Sequence, residues 1–293
     1  MKVKIAAHYG FCGNNGLFGV SGALKIATQT AQNNPAPVYI LGELVHNHHV
    51  TKQLKQDFNI TTVNNLSDIP PNSIMIIKSH GLPPQTIEEA KQRNLTIVDA
   101  TCPMVQKVHL LVRKLAAQGK KIIYLASDLQ HEEALGVLGE APDHITLVTL
   151  ADLPSLTLAD PAHTIVLTQT TLSLLETAAA LDELKNRYSA ITIHPHICPA
   201  TTDRQKAMMD LARETDLIIV VGGNNSSNTH RLAETARQVA PEKKVYLIDS
   251  VADLQKEWFS SLSPSAVVGL SSGASTPDSV FQAVVKKIES LHV

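Results

Sequence analysis

Aromatic residues are scarce, at 4% of 293 positions, so the core has to be built mainly from Leu, Ile, Val and Ala. Cysteine is scarcer still. The chain has three, with no Cys-x-x-Cys pair, which excludes a disulfide framework and argues against an ordinary zinc site. No run of 18 apolar residues occurs, so no membrane span is expected. Neither sign of charge dominates: 25 Lys and Arg against 27 Asp and Glu leave a net charge of −2, which gives no support to a nucleic-acid partner. The opening residues Met1 to His8 hold too short an apolar stretch for a secretory signal. With the low, odd cysteine count, this predicts a cytoplasmic protein. There is no Pro/Gly/Ser linker and no low-complexity tract, so whatever lobes exist must pack closely.

What is present is 44% hydrophobic and 18% charged, the balance of a soluble globular protein long enough to exceed one ordinary domain. Apolar β-rich runs alternate with helical periodicity throughout, which predicts an α/β protein with mainly parallel sheets. Strands are expected at Val3–Ala7, Val38–Leu41, Ile74–Ile77, Thr96–Asp99, Lys121–Leu125, Thr164–Leu167, Leu217–Val221, Lys244–Ile248 and Ala266–Leu270. Helices are expected at 104–118, 173–187, 201–214, 228–239 and 277–290.

Cys12, Cys102 and Cys198 are 90 and 96 residues apart, each after a predicted strand and before a helix. Polar loops recur in step with them. His46, His131 and Asn228 follow the cysteines by 34, 29 and 30 residues, and His80, Thr170 and Ser275 by 68, 68 and 77. Such spacing predicts one unit used three times. The expected lobes are 13–101, 102–197 and 198–293 with 1–12.

In open α/β sheets ligands gather beyond the carboxyl ends of strands, where all these loops lie, so one shared cavity is expected. A single cysteine is most simply a small buried hydrophobe. Three in equivalent places read instead as a metal or iron–sulfur site with one ligand position open to substrate. Ser226-Ser227-Asn228 and Ala274-Ser275-Thr276 lead into helices, where free N–H groups and the helix dipole favour phosphate. These hydroxyls are also ordinary helix caps, the simpler reading for Ser173 with Glu176. Thr276 before Pro277 reads as a cap with proline at the first helical position. His46, His80 and His131 add donors, while Lys and Arg are almost absent from the loops. The expected ligand is a small phosphate or diphosphate held mainly by neutral groups. Glu133 is the preferred proton donor with Glu132 as its rival, and Thr170 is placed to orient a substrate hydroxyl. His48 and His49 read as a solvated helix start rather than a metal tract, and His194 and His196 keep a possible supporting role beside Cys198.

Together the motifs resemble one family, the 4-hydroxy-3-methylbut-2-enyl diphosphate reductases of isoprenoid synthesis. The matching segments are Gly10-Phe11-Cys12, Val45-His46-Asn47, Ser79-His80-Gly81, Asp99-Ala100-Thr101-Cys102-Pro103 and Thr168-Gln169-Thr170-Thr171. Ile197-Cys198 with Ala200-Thr201-Thr202, Asn225-Ser226-Ser227-Asn228 and Ser272-Gly273-Ala274-Ser275 with Pro277-Asp278 complete the set, nearly the whole chain in the family's order. The resemblance implies a trefoil of three α/β lobes around a 4Fe–4S cluster held by Cys12, Cys102 and Cys198, its fourth iron open to substrate. It implies that His46, His80, His131, Ser226, Ser227, Asn228 and Ser275 hold the diphosphate, that Thr170 positions the hydroxyl, and that Glu133 delivers protons. The implied reaction is two-electron reductive dehydroxylation to isopentenyl and dimethylallyl diphosphate, with a ferredoxin or flavodoxin as electron donor.

Three departures stand out. Gly13 to Phe18 form an insertion of about five residues after the first cysteine, by comparison of the repeats. Tyr9 replaces the family's usual arginine, and Glu132 replaces a proline between histidine and acid. A paralogous cluster reductase acting on another oxygenated substrate, a non-catalytic iron–sulfur sensor, and a metal-free sugar-phosphate binder are the rival expectations.

Overall fold

The inner strand-forming runs Ile74–Ile77, Thr164–Thr168 and Leu217–Val221 are short and buried on both faces, the pattern of strands covered on both sides by helices. In the computed structural model, which describes residues 1–13 and 18–291, the chain order is β1 (Lys2–Ile5), α1 (Gly19–Asn33), β2 (Val38–Leu41), α2 (His48–Phe58), β3 (Thr61–Val63), β4 (Ile74–Ile77), α3 (Pro84–Gln92) and β5 (Thr96–Asp99). It continues with α4 (Pro103–Ala117), β6 (Lys121–Leu125), α5 (Glu132–Leu138), β7 (Ile145–Val148), β8 (Thr164–Thr168), α6 (Leu174–Arg187) and β9 (Thr192–His194). The last elements are α7 (Pro199–Glu214), β10 (Leu217–Val221), α8 (Ser227–Val239), β11 (Lys244–Ile248), β12 (Val267–Ser272) and α9 (Asp278–Glu289). Residues 14–17 of the insertion after Cys12 lie outside the described residues.

The strands form three four-stranded sheets, ordered β3-β2-β4-β5, β7-β6-β8-β9 and β11-β10-β12-β1. Every pairing is parallel. Parallel neighbours cannot be joined by tight hairpins and need crossovers, which the helices supply. The three orders are the same pattern written three times, with the third copy closed by the amino-terminal strand: Lys2 to Ile5 run in register with Val267 to Leu270. The predicted α/β class and threefold repetition are thus seen in the sheet topology itself.

The chain divides into two units, Met1–Asn14 with His46–Val50 and Pro199–Val293, and Asn15–Val45 with Thr51–Cys198. In the first, Ile219, Val221, Val268 and Leu270 face Phe281, Val284 and Ile288 of α9. In the second, Ile122 and Tyr124 of β6 pack on Val108, Val112 and Leu115 of α4, which recur at the three- and four-residue spacing of one helix face. Each such aliphatic side chain contributes about 1.5–3 kcal/mol by leaving water.

The predicted strands β2, β4, β5, β6, β10 and β11 appear with the expected ends, while β1, β8, β12 and the predicted helices appear with ends shifted by one or two residues. The strands β3, β7 and β9 and the helices α1, α2, α3 and α5 go beyond the predicted segments. β3 and β9 have only three residues, too few to show a period. Thr276 is not the cap of the last helix. Pro277 occupies that position, and the Thr276 hydroxyl donates to the Val221 carbonyl at 3.0 Å.

Candidate active site

In each sheet three strands end in a candidate site residue. The loop after β2, β6 or β10 brings His46, His131 or Asn228, and the loop after β4, β8 or β12 brings His80, Thr170 or Ser275. The chain after β5, β9 or β1 brings Cys102, Cys198 or Cys12. The cysteine backbones are anchored alike. Cys102 N–H donates to Ser79 O at 2.9 Å, Cys198 N–H to Thr170 O at 3.0 Å, and Cys12 N–H to Ala274 O at 3.2 Å. Every cysteine is therefore tied to the second polar loop of its own sheet.

All three are free thiols of intermediate exposure. Cys102 caps α4, followed by Pro103 at the first helical position. Burial pushes its thiol up, and the nearby Cys198 adds to this, while the N–H groups of Met104, Val105 and Gly19 act the other way. A half-buried sulfur facing amide donors at a helix start is a setting suited to a thiolate ligand.

Glu133 has the most complete set of partners. It is 1% exposed, at the start of α5. Oε1 accepts from Thr170 N–H at 2.9 Å and from the Tyr124 hydroxyl at 3.1 Å, and Oε2 accepts from the Thr170 hydroxyl at 2.8 Å. Tyr124 is fully buried, and burial together with this carboxylate holds its phenol well above its ordinary range. Gln169 keeps the threonine loop in place: its carbonyl accepts from Ser127 N–H at 2.8 Å and its amide donates to Thr171 at 2.9 Å.

Its neighbour Glu132 faces other partners. It is ion-paired with Lys78, a buried lysine just ahead of Ser79-His80-Gly81, and lies 3.4 Å from His80 Nδ1. Burial alone would raise the Glu132 carboxyl, but His80 and the Lys78 ammonium outweigh it and hold it down at about 2. Burial in turn lowers His80, against the pull of Glu132. Lys78 was missed in the sequence because it reads as the end of an apolar strand, Ile74-Met75-Ile76-Ile77, rather than as part of a loop.

His131 is the cap of α5. Its Nδ1 accepts from Glu133 N–H at 3.1 Å, which puts its proton on Nε2. Its ring meets His80 edge-on at 5.9 Å. Gly81 has a φ of +79°, and a Cβ there would stand 3.1 Å from His109 Nε2, so the turn presenting His80 needs glycine on both counts. Behind it, His109 Nδ1 is 2.7 Å from the buried Glu140.

In the other unit, Ser226 caps α8, accepting from Thr229 N–H at 3.4 Å, and the Ser275 hydroxyl donates to His46 O at 3.0 Å. Gly273 is fixed by close approach, since a Cβ would fall 2.1 Å from Thr229 Oγ1. Asn228 is 6% exposed, and neither end of its amide finds a hydrogen-bond partner among the described residues. Such a group is costly unless a ligand completes it. Tyr9, at the position of the family's arginine, stacks on Phe281 at 4.6 Å. His196 is spent locally, with its N–H on Thr168 Oγ1 at 2.7 Å and Nδ1 on His194 O at 2.6 Å.

Repeated parallel sheets with polar side chains and thiols at their strand ends define an α/β enzyme. The LytB protein family model matches residues 3–289. The 4-hydroxy-3-methylbut-2-enyl diphosphate reductase of Histophilus somni is 38% identical, covering 100% of this chain and 91% of the relative. That of Nitratiruptor is 32% identical over the full length of both. The solved structure of the E-1-hydroxy-2-methyl-but-2-enyl-4-diphosphate reductase from Plasmodium falciparum matches with a TM-score of 0.89 at 32% identity, over 99% of this chain and 88% of that one. The chain belongs to the LytB family, the 4-hydroxy-3-methylbut-2-enyl diphosphate reductases. Among the described residues no helix is long and apolar enough to cross a membrane.

Proposed function

We propose that this chain carries out the two-electron reductive dehydroxylation of 4-hydroxy-3-methylbut-2-enyl diphosphate, giving isopentenyl and dimethylallyl diphosphate. Two electrons and two protons enter, the C–O bond breaks, the hydroxyl leaves as water, and a carbon takes the second proton. The observation that carries the reading is the buried Glu133 carboxyl joined through Oε2 to the Thr170 hydroxyl at 2.8 Å.

Cys12, Cys102 and Cys198 would hold a 4Fe–4S cluster, the three cysteines standing at the boundaries of the lobes 13–101, 102–197 and 198–293 plus 1–12. When bound, the cluster supplies electrons and a Lewis-acidic iron with an open position. The remaining work falls to side chains. Thr170 already gives its proton to Glu133, so its lone pairs are left to accept from the substrate hydroxyl. A proton arriving on Glu133 Oε2 reverses that bond: Glu133 donates to Thr170 Oγ1, and Thr170 donates to the departing hydroxyl. Thr170 N–H and Tyr124 keep the carboxyl in one orientation meanwhile. Glu132, held near 2, is ionised at neutral pH and has no proton to give, which leaves the role to Glu133.

The diphosphate is bound by His46, His80, His131, Ser226, Ser227, Asn228 and Ser275. Asn228 supports this through its buried, uncompleted amide, and α8 through its amino-terminal N–H groups. Electrons come from a ferredoxin- or flavodoxin-type donor in the cytoplasm. Anaerobic turnover with reduced viologen, with iron and sulfide measured on the same sample, tests the reading. Turnover by cluster-loaded protein is expected. A loaded cluster without turnover would redirect the activity to another substrate, and failure to load a cluster would overturn the assignment.

A further inference from the structure

The strands that end in proposed active-site residues leave one per sheet unused, namely β3, β7 and β11. The chain leaving β11 nevertheless carries chemistry. Asp249 follows the strand directly, and its backbone is fixed by a tight turn in which Asp253 Oδ2 accepts from the N–H groups of Asp249 and Ser250, both at 2.9 Å. Across from it, α2 opens with His48 and His49, and the His49 N–H donates to Oδ1 of the buried Asn47 at 3.0 Å.

Both imidazoles aim at the same carboxylate oxygen. His49 Nε2 is 2.9 Å and His48 Nε2 3.4 Å from Asp249 Oδ2, and the rings lie against each other with centroids 4.0 Å apart. The three candidate ligand atoms all fall within 4.8 Å of one another. Two donors crowding one oxygen make a poor hydrogen-bonding arrangement, the more so because Asp249 Oδ1 is buried and accepts no hydrogen bond among the described residues. Among those residues no Lys or Arg pairs with Asp249 either. A cation between the three groups resolves this. Bonds of about 2.0–2.1 Å in a tetrahedron put ligand atoms about 3.3 Å apart, within the spread of the two His–Asp separations.

We propose that His48, His49 and Asp249 form a binding site for a borderline divalent cation such as Zn2+ or Ni2+, with His Nε2, His Nε2 and carboxylate as ligands. Two nitrogens and one oxygen select this class over Mg2+ or Ca2+, which take oxygen sets. His48 is 61% exposed, so water completes the coordination. The site is distinct from the three cysteines. It joins the first turn of α2, two residues after His46, to the end of β11, so metal binding would fix the segment that presents His46.

The test is anaerobic calorimetric titration of the cluster-loaded full chain with zinc sulfate in a non-chelating buffer, with iron and sulfide measured on every sample. One zinc per chain is expected for the wild type. Asp249→Asn should abolish that binding. His48→Gln, at an exposed position that leaves the fold intact, should weaken it by at least the roughly 10–100-fold that even outer-shell changes cost. Cluster content should be the same in all three. An unchanged isotherm in His48→Gln, or no zinc uptake by the wild type at submillimolar concentration, would overturn the proposal.

Discussion

Glu132 and Glu133 are consecutive in sequence and occupy the same helical turn, yet they have nothing else in common. Consecutive helical residues point about 100° apart, and here that rotation separates two environments. Glu133 enters a pocket of hydroxyl and amide donors, Thr170 and Tyr124, with no cation paired to it among the described residues. Glu132 turns to Lys78 and His80 and is fixed as an anion. Carboxylates of the same type thus divide into one held by neutral donors, to which the proposed proton role falls, and one paired with Lys78 beside the histidine loop.

Replacing the acid breaks this comparison most sharply. Glu133→Gln keeps the shape and should lower turnover by at least about 10²-fold with normal iron and sulfide. Near-normal turnover would mean that the proton arrives by another route. Thr170→Val removes the hydroxyl bonded to Glu133, which in the proposed mechanism meets the substrate, and should cost roughly 10–100-fold, while Thr170→Ser restores most of it. Equal losses in the two variants would assign threonine a packing role only.

On the other side of the helix the effects should be on stability. Lys78→Met leaves Glu132 partly buried without its cation and should cost about 1–3 kcal/mol in denaturant unfolding, reduced from the fully buried case because Glu132 keeps some contact with water. The same pair gives a pH signature. The Glu132 carboxyl is depressed from 4.5 to about 2 in the folded chain, so its stabilising contribution is complete above about 4.5 and is lost as pH falls toward 2. Glu132→Gln should flatten that acid limb, and an unchanged limb would place the titration elsewhere. The smallest effect is expected for Tyr124→Phe, which keeps the buried ring but deletes one of three donors to Glu133, at about 1–2 kcal/mol of stability.

The threefold repetition was legible because strand–loop–helix grammar is local and was written three times at nearly constant spacing. The cysteines and loop residues fell at strand ends for the same reason. Thr276 was misread because a threonine before proline is a good cap in isolation, whereas in the fold its hydroxyl is spent on the Val221 carbonyl of the neighbouring strand. Lys78 was hidden by the apolar run before it. The pair His48 and His49 read as a solvated helix start, since their partner Asp249 lies 200 residues away.

The sequence by itself determined the α/β class, the three copies and the side chains available at each strand end, which follow from periodicity and spacing along the chain, and it carried the motifs by which it resembles its family. Only the tertiary structure decided which glutamate is fixed as an anion, that Asn228 is buried with its amide unmet among the described residues, and that two histidines share one distant aspartate. Those outcomes depend on burial and on partners brought together from far apart in sequence, and these set the state of an ionisable or polar group where local pattern does not.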